Sequence, residues 1–188
     1  MRLTLSSSSP RRRELLSILV PHFEVAKPDI DETLNPRESP DHYVTRLAVE
    51  KAMSCATNGR VSLGADTAVV CEGQILGKPS DIDAARRVLE QLSGNVHTVF
   101  TGIALAVGNQ ITSRLSLTRV TFGRLLPETI ETYLQTEEPW DKAGAYGIQG
   151  YAGAFVERIE GSYSGVVGLP LYETRHLLAD AGVTLRHG

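Results

Sequence analysis

Asp66 stands where a carboxylate is out of place. It lies in Leu63-Gly64-Ala65-Asp66-Thr67-Ala68-Val69-Val70, with apolar residues on both sides and a glycine two positions before it. A carboxylate in a buried strand needs a partner or a metal. The bland alternative is a turn aspartate capping a loose end, but the apolar flanks favour a functional acid. Lys51 is the second anomaly. On a predicted helix its spacing puts it on the same stripe as Val44, Leu47, Ala48 and Cys55. A lysine there either snorkels past the core edge or turns its ammonium into a cleft.

Four serines, a proline and three arginines open the chain, Ser6-Ser7-Ser8-Ser9-Pro10-Arg11-Arg12-Arg13. Serine suits a helix N-cap and proline the first helical turn. Hydroxyls, free backbone N–H groups and guanidiniums therefore gather at one helix N-terminus. That combination offers a site for an anion, above all a phosphate chain. An ordinary capped helix with solvated arginines is the competing reading.

Three further features carry weight only in company. Lys78, in Gly77-Lys78-Pro79, has its backbone held extended by the following proline. Glu32 lies in the acidic segment Asp29-Ile30-Asp31-Glu32, which suits a hard divalent cation or is simply a solvated loop. Gly144-Ala145-Tyr146-Gly147-Ile148-Gln149-Gly150 lacks both the P-loop pattern and the dinucleotide glycine spacing. Its Gln149 offers a donor and an acceptor to a base edge. Together the pieces suit a nucleoside triphosphate. Cations would meet its phosphates, carboxylates its metal, a base the attacking water, and an amide the nucleobase.

The elements that must position these groups alternate between strand and helix patterns. Leu3–Leu5 predicts a strand and Pro10 onward a helix. Phe23–Ala26 predicts a short strand, and Ser39-Pro40 opens a helix running to about Asn58-Gly59. Val61–Cys71 predicts a buried strand interrupted at Gly64-Ala65-Asp66-Thr67, and Gln74–Leu76 a short strand after a turn. Ser80-Asp81 caps a helix with apolar face Ile82, Ala85, Val88, Leu89 and Leu92, where Ser80 and Asp83 resemble a capping box. Val96–Val107 and Ile111–Phe122 read as a hairpin across Gly108-Asn109-Gln110. Pro127 starts another helix, Ala154–Ile159 predicts a strand, and Leu169–Ala181 a last helix stopped by Gly182. This order predicts a single α/β domain over residues 1–188.

Composition narrows the function classes. The chain has 188 residues, is 41% hydrophobic and 22% charged, and has a net charge of −3. No global basic field draws it to nucleic acid. The longest apolar run, Gly102–Val107, falls far short of a membrane span. Cys55 and Cys71 lack metal spacing and read as reduced, buried thiols of a cytoplasmic protein. The five histidines show no paired zinc spacing.

With these residues in place, the chain resembles the Maf family of nucleoside triphosphate pyrophosphatases over nearly its whole length. The anchors are Ser7-Ser8-Ser9-Pro10-Arg11-Arg12, Asp31-Glu32, Glu50-Lys51-Ala52, Gly64–Thr67, Lys78-Pro79, Leu92-Ser93-Gly94, Asp141–Gly150 and Gly161-Ser162-Tyr163. The resemblance implies an elongated, two-lobed α/β fold related to the inosine triphosphate pyrophosphatases. In that fold a central mixed, twisted sheet is flanked by helices, with a deep cleft. It implies hydrolysis of a nucleoside triphosphate to monophosphate and pyrophosphate with Mg²⁺ or Mn²⁺, and a homodimer, while the net charge and the short apolar runs count against a nucleic-acid or membrane partner.

By the same resemblance Asp66 matches the proton acceptor and Glu32 the second essential acid, the two sharing the metal. Ser7, Ser9, Arg11, Arg12, Lys51 and Lys78 match phosphate-side residues. Arg11, Thr67 and Gln149 occupy the positions that separate subfamilies and look like the dTTP/UTP branch. Ser6 replaces the small residue commonly seen before the first motif serine. The alternatives are a pyrophosphatase for 7-methyl-GTP or another modified nucleotide, and a non-catalytic nucleotide-binding regulator of cell division.

Overall fold

The computed structural model describes residues 2–56 and 60–186. Its strands are β1 (Arg2–Ser6), β2 (Glu24–Ala26), β3 (Arg60–Cys71), β4 (Gln74–Leu76), β5 (Val96–Val107), β6 (Gln110–Phe122) and β7 (Val156–Glu160). Its helices are α1 (Pro10–Leu19), α2 (Pro40–Ser54), α3 (Ile82–Leu92), α4 (Pro127–Leu134), α5 (Tyr163–Val167) and α6 (Leu171–Asp180). The sheet order is β2-β1-β3-β5-β6-β7, with β4 paired to β3 off that path. β1 runs parallel to β2 and β3, while β3–β4 and β6–β7 are antiparallel. The class is the expected one: α/β, with a central mixed sheet flanked by helices.

Two compact units emerge. One comprises residues 1–67, 101–116 and 168–188, the other residues 68–100 and 117–167. The long strands β3, β5 and β6 contribute residues to both. In the first unit, α2 lies against the sheet through small residues, Ala48 and Ala52 meeting Ala104 and Ala106. The core of the second unit is partly aromatic. Phe122, Tyr133, Tyr146 and Phe155 pack there with Leu89, Leu92 and Val120.

Several local expectations change. β3 is one continuous strand from Arg60 to Cys71, with no interruption at Gly64–Thr67. The glycine has a packing reason instead. A Cβ on Gly64 would stand 2.2 Å from the Ala48 carbonyl oxygen and 2.5 Å from the Ala52 nitrogen. Gly102 on β5 is tight in the same way, its Cβ position lying 2.5 Å from the Val44 carbonyl oxygen. The backbone of α2 thus sits directly on the two strands.

Asp81, not Ser80, caps α3, its carboxylate accepting from the Ala84 N–H at 2.7 Å. α2 ends at Ser54, and the expected stop at Asn58-Gly59 lies outside the described residues. Cys71 is buried, but Cys55 is only half-buried. The short helix α5 was not expected from the sequence; the preceding Ser162 Oγ accepts from the Gly165 N–H at 3.0 Å.

Candidate active site

Strand β3 and helix α2 place the central pair. Side chains on a strand alternate, so Asp66 shares the face of Gly64, where α2 comes closest. Lys51 follows Ala48 by one turn of α2 and faces that point. Its side chain is buried, and its Nζ donates to Asp66 Oδ1 at 2.6 Å. Glu32, from the irregular segment between β2 and α2, reaches the same nitrogen at 2.7 Å. One ammonium therefore joins two carboxylates, one buried with it and one 58% exposed. The partnered interior carboxylate answers the cost of burying a lone charge.

The N-terminus of α1 supplies the cations. Ser9 is the N-cap and accepts from the Arg12 N–H at 3.4 Å, with Pro10 opening the first turn. The Ser9 N–H in turn donates to Ser7 Oγ at 3.1 Å. Three arginines then occupy a first turn that carries no acidic residue. Cations at a helix N-terminus oppose the helix dipole. Such a breach of local preference is expected where an anion supplies the missing charge.

Arg12 is fixed rather than solvated. Its Nε donates to the Gly168 carbonyl at 2.9 Å and its Nη2 to Thr67 Oγ1 at 3.2 Å. Thr67 Oγ1 also lies 3.2 Å from Thr101 Oγ1. Burial pulls the Arg12 guanidinium below its ordinary value, and the carboxylates of Asp66 and Glu32 oppose that shift. Guanidinium remains protonated throughout. Arg11, half-buried next to it, adds a repelling positive charge. The first unit thus gathers Ser7, Ser9, Arg11, Arg12, Glu32, Lys51, Asp66 and Thr67. The Thr67 hydroxyl spends its hydrogen bonds on Arg12 and Thr101.

The second unit holds the other two candidates. Lys78 is exposed after β4, and Gln149 is exposed in the glycine-rich loop. A hydrogen bond from the Gly144 N–H to the Gly77 carbonyl, at 3.2 Å, ties the two segments together. Glu138 organises the rest of the loop by accepting from the Tyr151 N–H at 2.8 Å and the Ala152 N–H at 3.3 Å. Gly150 must be glycine for this, because a Cβ there would fall 1.2 Å from Glu138 Oε1. Beneath the loop, buried His97 meets Tyr146 Oη through Nε2 at 2.8 Å. Desolvation lowers His97 to about 4 and raises the Tyr146 phenol well above its usual value.

Sequence reasoning missed Thr101, Gly168, Glu138 and the His97–Tyr146 pair. A histidine inside the β5 pattern was the one visible signal. The others matter through partners far away in the chain.

This fold is already known in a solved structure. The Ham1 protein of Staphylococcus aureus matches with a TM-score of 0.57 at 10% identity, covering 96% of this chain and 100% of that one. The family model described as Maf-like protein matches residues 2–181, and the chain belongs to the Maf family. Among curated relatives, the dTTP/UTP pyrophosphatase of Pseudoalteromonas atlantica is 52% identical over 183 residues, covering 94% of this chain and 95% of the relative. The dTTP/UTP pyrophosphatase of Shewanella oneidensis is 51% identical over 193 residues, covering 97% and 100%. That of Hahella chejuensis is 49% identical over 189 residues, covering 98% and 94%.

Proposed function

We propose that this chain hydrolyses dTTP and UTP to the monophosphate and pyrophosphate, removing them from the nucleotide pool. The observation that carries the reading is Lys51, buried and bonded at once to Asp66 and Glu32. The names of relatives at about half identity over nearly full length supply the substrate class.

Asp66 takes the proton of a water molecule as its oxygen bonds to the α-phosphorus. The bond from that phosphorus to the bridging oxygen breaks, and pyrophosphate departs with the electron pair. Negative charge grows on the phosphate oxygens, and fixed cations stabilise it most when they need not reorganise. Arg12, held by Gly168 and Thr67, is such a cation. Arg11 and Lys51 add to it, and the Ser7–Ser9 turn receives phosphate oxygens at the α1 N-terminus. Lys78 completes the neutralisation of pyrophosphate. Gln149 reads the pyrimidine edge, which presents both donor and acceptor. Thr67 bears on the substrate through Arg12.

The carboxylates fit a hard divalent cation. Mg²⁺ commonly takes one or two carboxylates and completes its shell with water and substrate phosphates. Glu32 and Asp66 are two oxygen donors held to one nitrogen, and Glu32 is 58% exposed. They would hold Mg²⁺ or Mn²⁺, which supplies charge neutralisation on the phosphates when bound. Among the described residues no helix is long and apolar enough to cross a membrane. A cytoplasmic homodimer completes the proposal.

The test is pyrophosphate release with Mg²⁺ from a panel of dTTP, UTP, purine triphosphates and 7-methyl-GTP. The expected result is a clear preference for dTTP and UTP. Equal rates on purines, or preference for the modified base, overturns the assignment.

A further inference from the structure

The segment that carries Glu32 has no helix or strand of its own, and residues 31–37 are exposed. A carboxylate on such a segment holds no fixed position unless something outside the segment grips it. Helix α2 does so at two backbone carbonyls. Tyr43 Oη donates to the Glu32 carbonyl at 2.9 Å. Arg46 Nη2 donates to the Thr33 carbonyl at 3.1 Å. The same guanidinium forks onto Glu38 at the far end of the segment, Nε to Oε1 at 2.7 Å and Nη2 to Oε2 at 2.8 Å. Its third nitrogen, Nη1, braces against Glu50 one turn on, at 3.3 Å. The Arg46 guanidinium also lies over the Tyr43 ring, 5.7 Å from its centre. Glu38 in turn accepts from the Asn35 N–H at 3.1 Å, closing the segment on itself.

We infer that Arg46 and Tyr43 are positioning residues for the reaction: they clasp the 31–38 segment to α2 so that Glu32 meets the ammonium of Lys51. Arg46 stands five residues before Lys51 on the same helix, about 7.5 Å along its axis. The helix that presents the ammonium therefore also presents the brackets that hold the second acid. Only arginine can do this. A lysine is a point charge without the planar fork, and cannot serve Glu38, Thr33 and Glu50 together. The clasp stays closed over the working pH range, because Arg46 holds Glu38 down to about 2. Tyr43 senses the same acids, its phenol pushed up by burial and by the charges of Asp66 and Glu32.

The inference deepens the pyrophosphatase reading and rests on it for its kinetic arm alone. Arg46→Lys keeps the charge and loses the fork. Tyr43→Phe keeps the ring and loses one hydroxyl. Each is made alone and in a Glu32→Gln background. With dTTP and Mg²⁺, Arg46→Lys is expected to lower kcat at least tenfold with KM within about threefold, and Tyr43→Phe to do the same more mildly. In the Glu32→Gln background neither costs more than about threefold further, because the group they position is already disabled. Equal losses in both backgrounds, or unchanged kcat, overturn the inference.

Amide hydrogen exchange of the unliganded protein gives the second arm and needs no turnover. Exchange of the Thr33, Asn35 and Glu38 amides is expected to speed up at least tenfold in Arg46→Lys, with β1 and β3 unchanged. No change in that segment overturns the clasp. Should wild type release no pyrophosphate from any triphosphate, the proposed function fails, and the exchange arm still decides the clasp.

Discussion

Lys51 and Asp66 are fifteen residues apart in the chain and 2.6 Å apart in space, both buried. Their pairing fixes α2 to β3 at the point where chemistry is proposed. Lys51→Met keeps the apolar stem and removes the ammonium. It leaves Asp66 buried without the ammonium bonded to it, and removing one partner of such a pair costs roughly 3–5 kcal/mol. Urea unfolding is expected to show a loss of that order, and pyrophosphate release to fall at least ~100-fold. Adding Asp66→Asn to Lys51→Met should restore part of the stability and none of the activity.

Gly64 sets how close the two partners come. A methyl group at this position would meet the Ala48 carbonyl oxygen at 2.2 Å, and both neighbours are backbone, so no side chain can swing away. Gly64→Ala is expected to destabilise by roughly 3 kcal/mol or more, since overpacking that moves backbone reaches the upper end of its range. Circular dichroism melts check it. A midpoint within a degree or two of wild type contradicts the close-approach account.

The sequence told more about the site than about its supports. Asp66 and Lys51 were legible because each breaks an apolar pattern, and a broken pattern is visible in one dimension. The α1 N-terminus was legible because capping is local, and most strand and helix positions followed from periodicity. Gly64 misled. Read along the chain it looked like a break in β3, whereas its cause is the helix backbone lying across it. The partners of Thr67 were hidden for the same reason, because its hydroxyl answers to Arg12 and Thr101, 55 and 34 residues away. The grip of Arg46 on the Glu32 segment left no trace, since an arginine on a helix face with an acid four residues on reads as an ordinary surface pair.

His97 ties acid stability to the second unit. Its folded value is about 4, against an ordinary 6.5, because Phe122 and Tyr146 surround the ring and desolvate it. Between those values the unfolded chain binds the proton and the folded one does not. Stability from this group is therefore full above pH 6.5 and drains as pH falls toward 4, by roughly 3 kcal/mol in total. Urea midpoints of wild type and His97→Gln, compared from pH 7.5 to 4, are expected to converge as pH drops. Parallel curves contradict a neutral buried imidazole.

Gly150 and Glu138 shape the loop that bears Gln149. In Gly150→Ala the new methyl displaces the carboxylate that caps the Tyr151 and Ala152 amides. Loss of such a cap costs roughly 1 kcal/mol. With dTTP, KM is expected to rise about tenfold with kcat changed much less, the pattern of lost ground-state binding. A fall in kcat at constant KM contradicts a binding role for this loop.

The central claim is that Asp66 is the base that activates water, with Lys51 and Glu32 holding the arrangement. Its most direct test is the turnover of dTTP by Asp66→Asn under saturating substrate and Mg²⁺, with dTTP binding measured on the same sample by calorimetry. The account predicts dTTP binding within about tenfold of wild type and a kcat lower by at least ~100-fold, since an amide cannot accept the proton and general-base loss costs roughly 10²–10⁴-fold. A kcat within threefold of wild type, with binding intact, contradicts it.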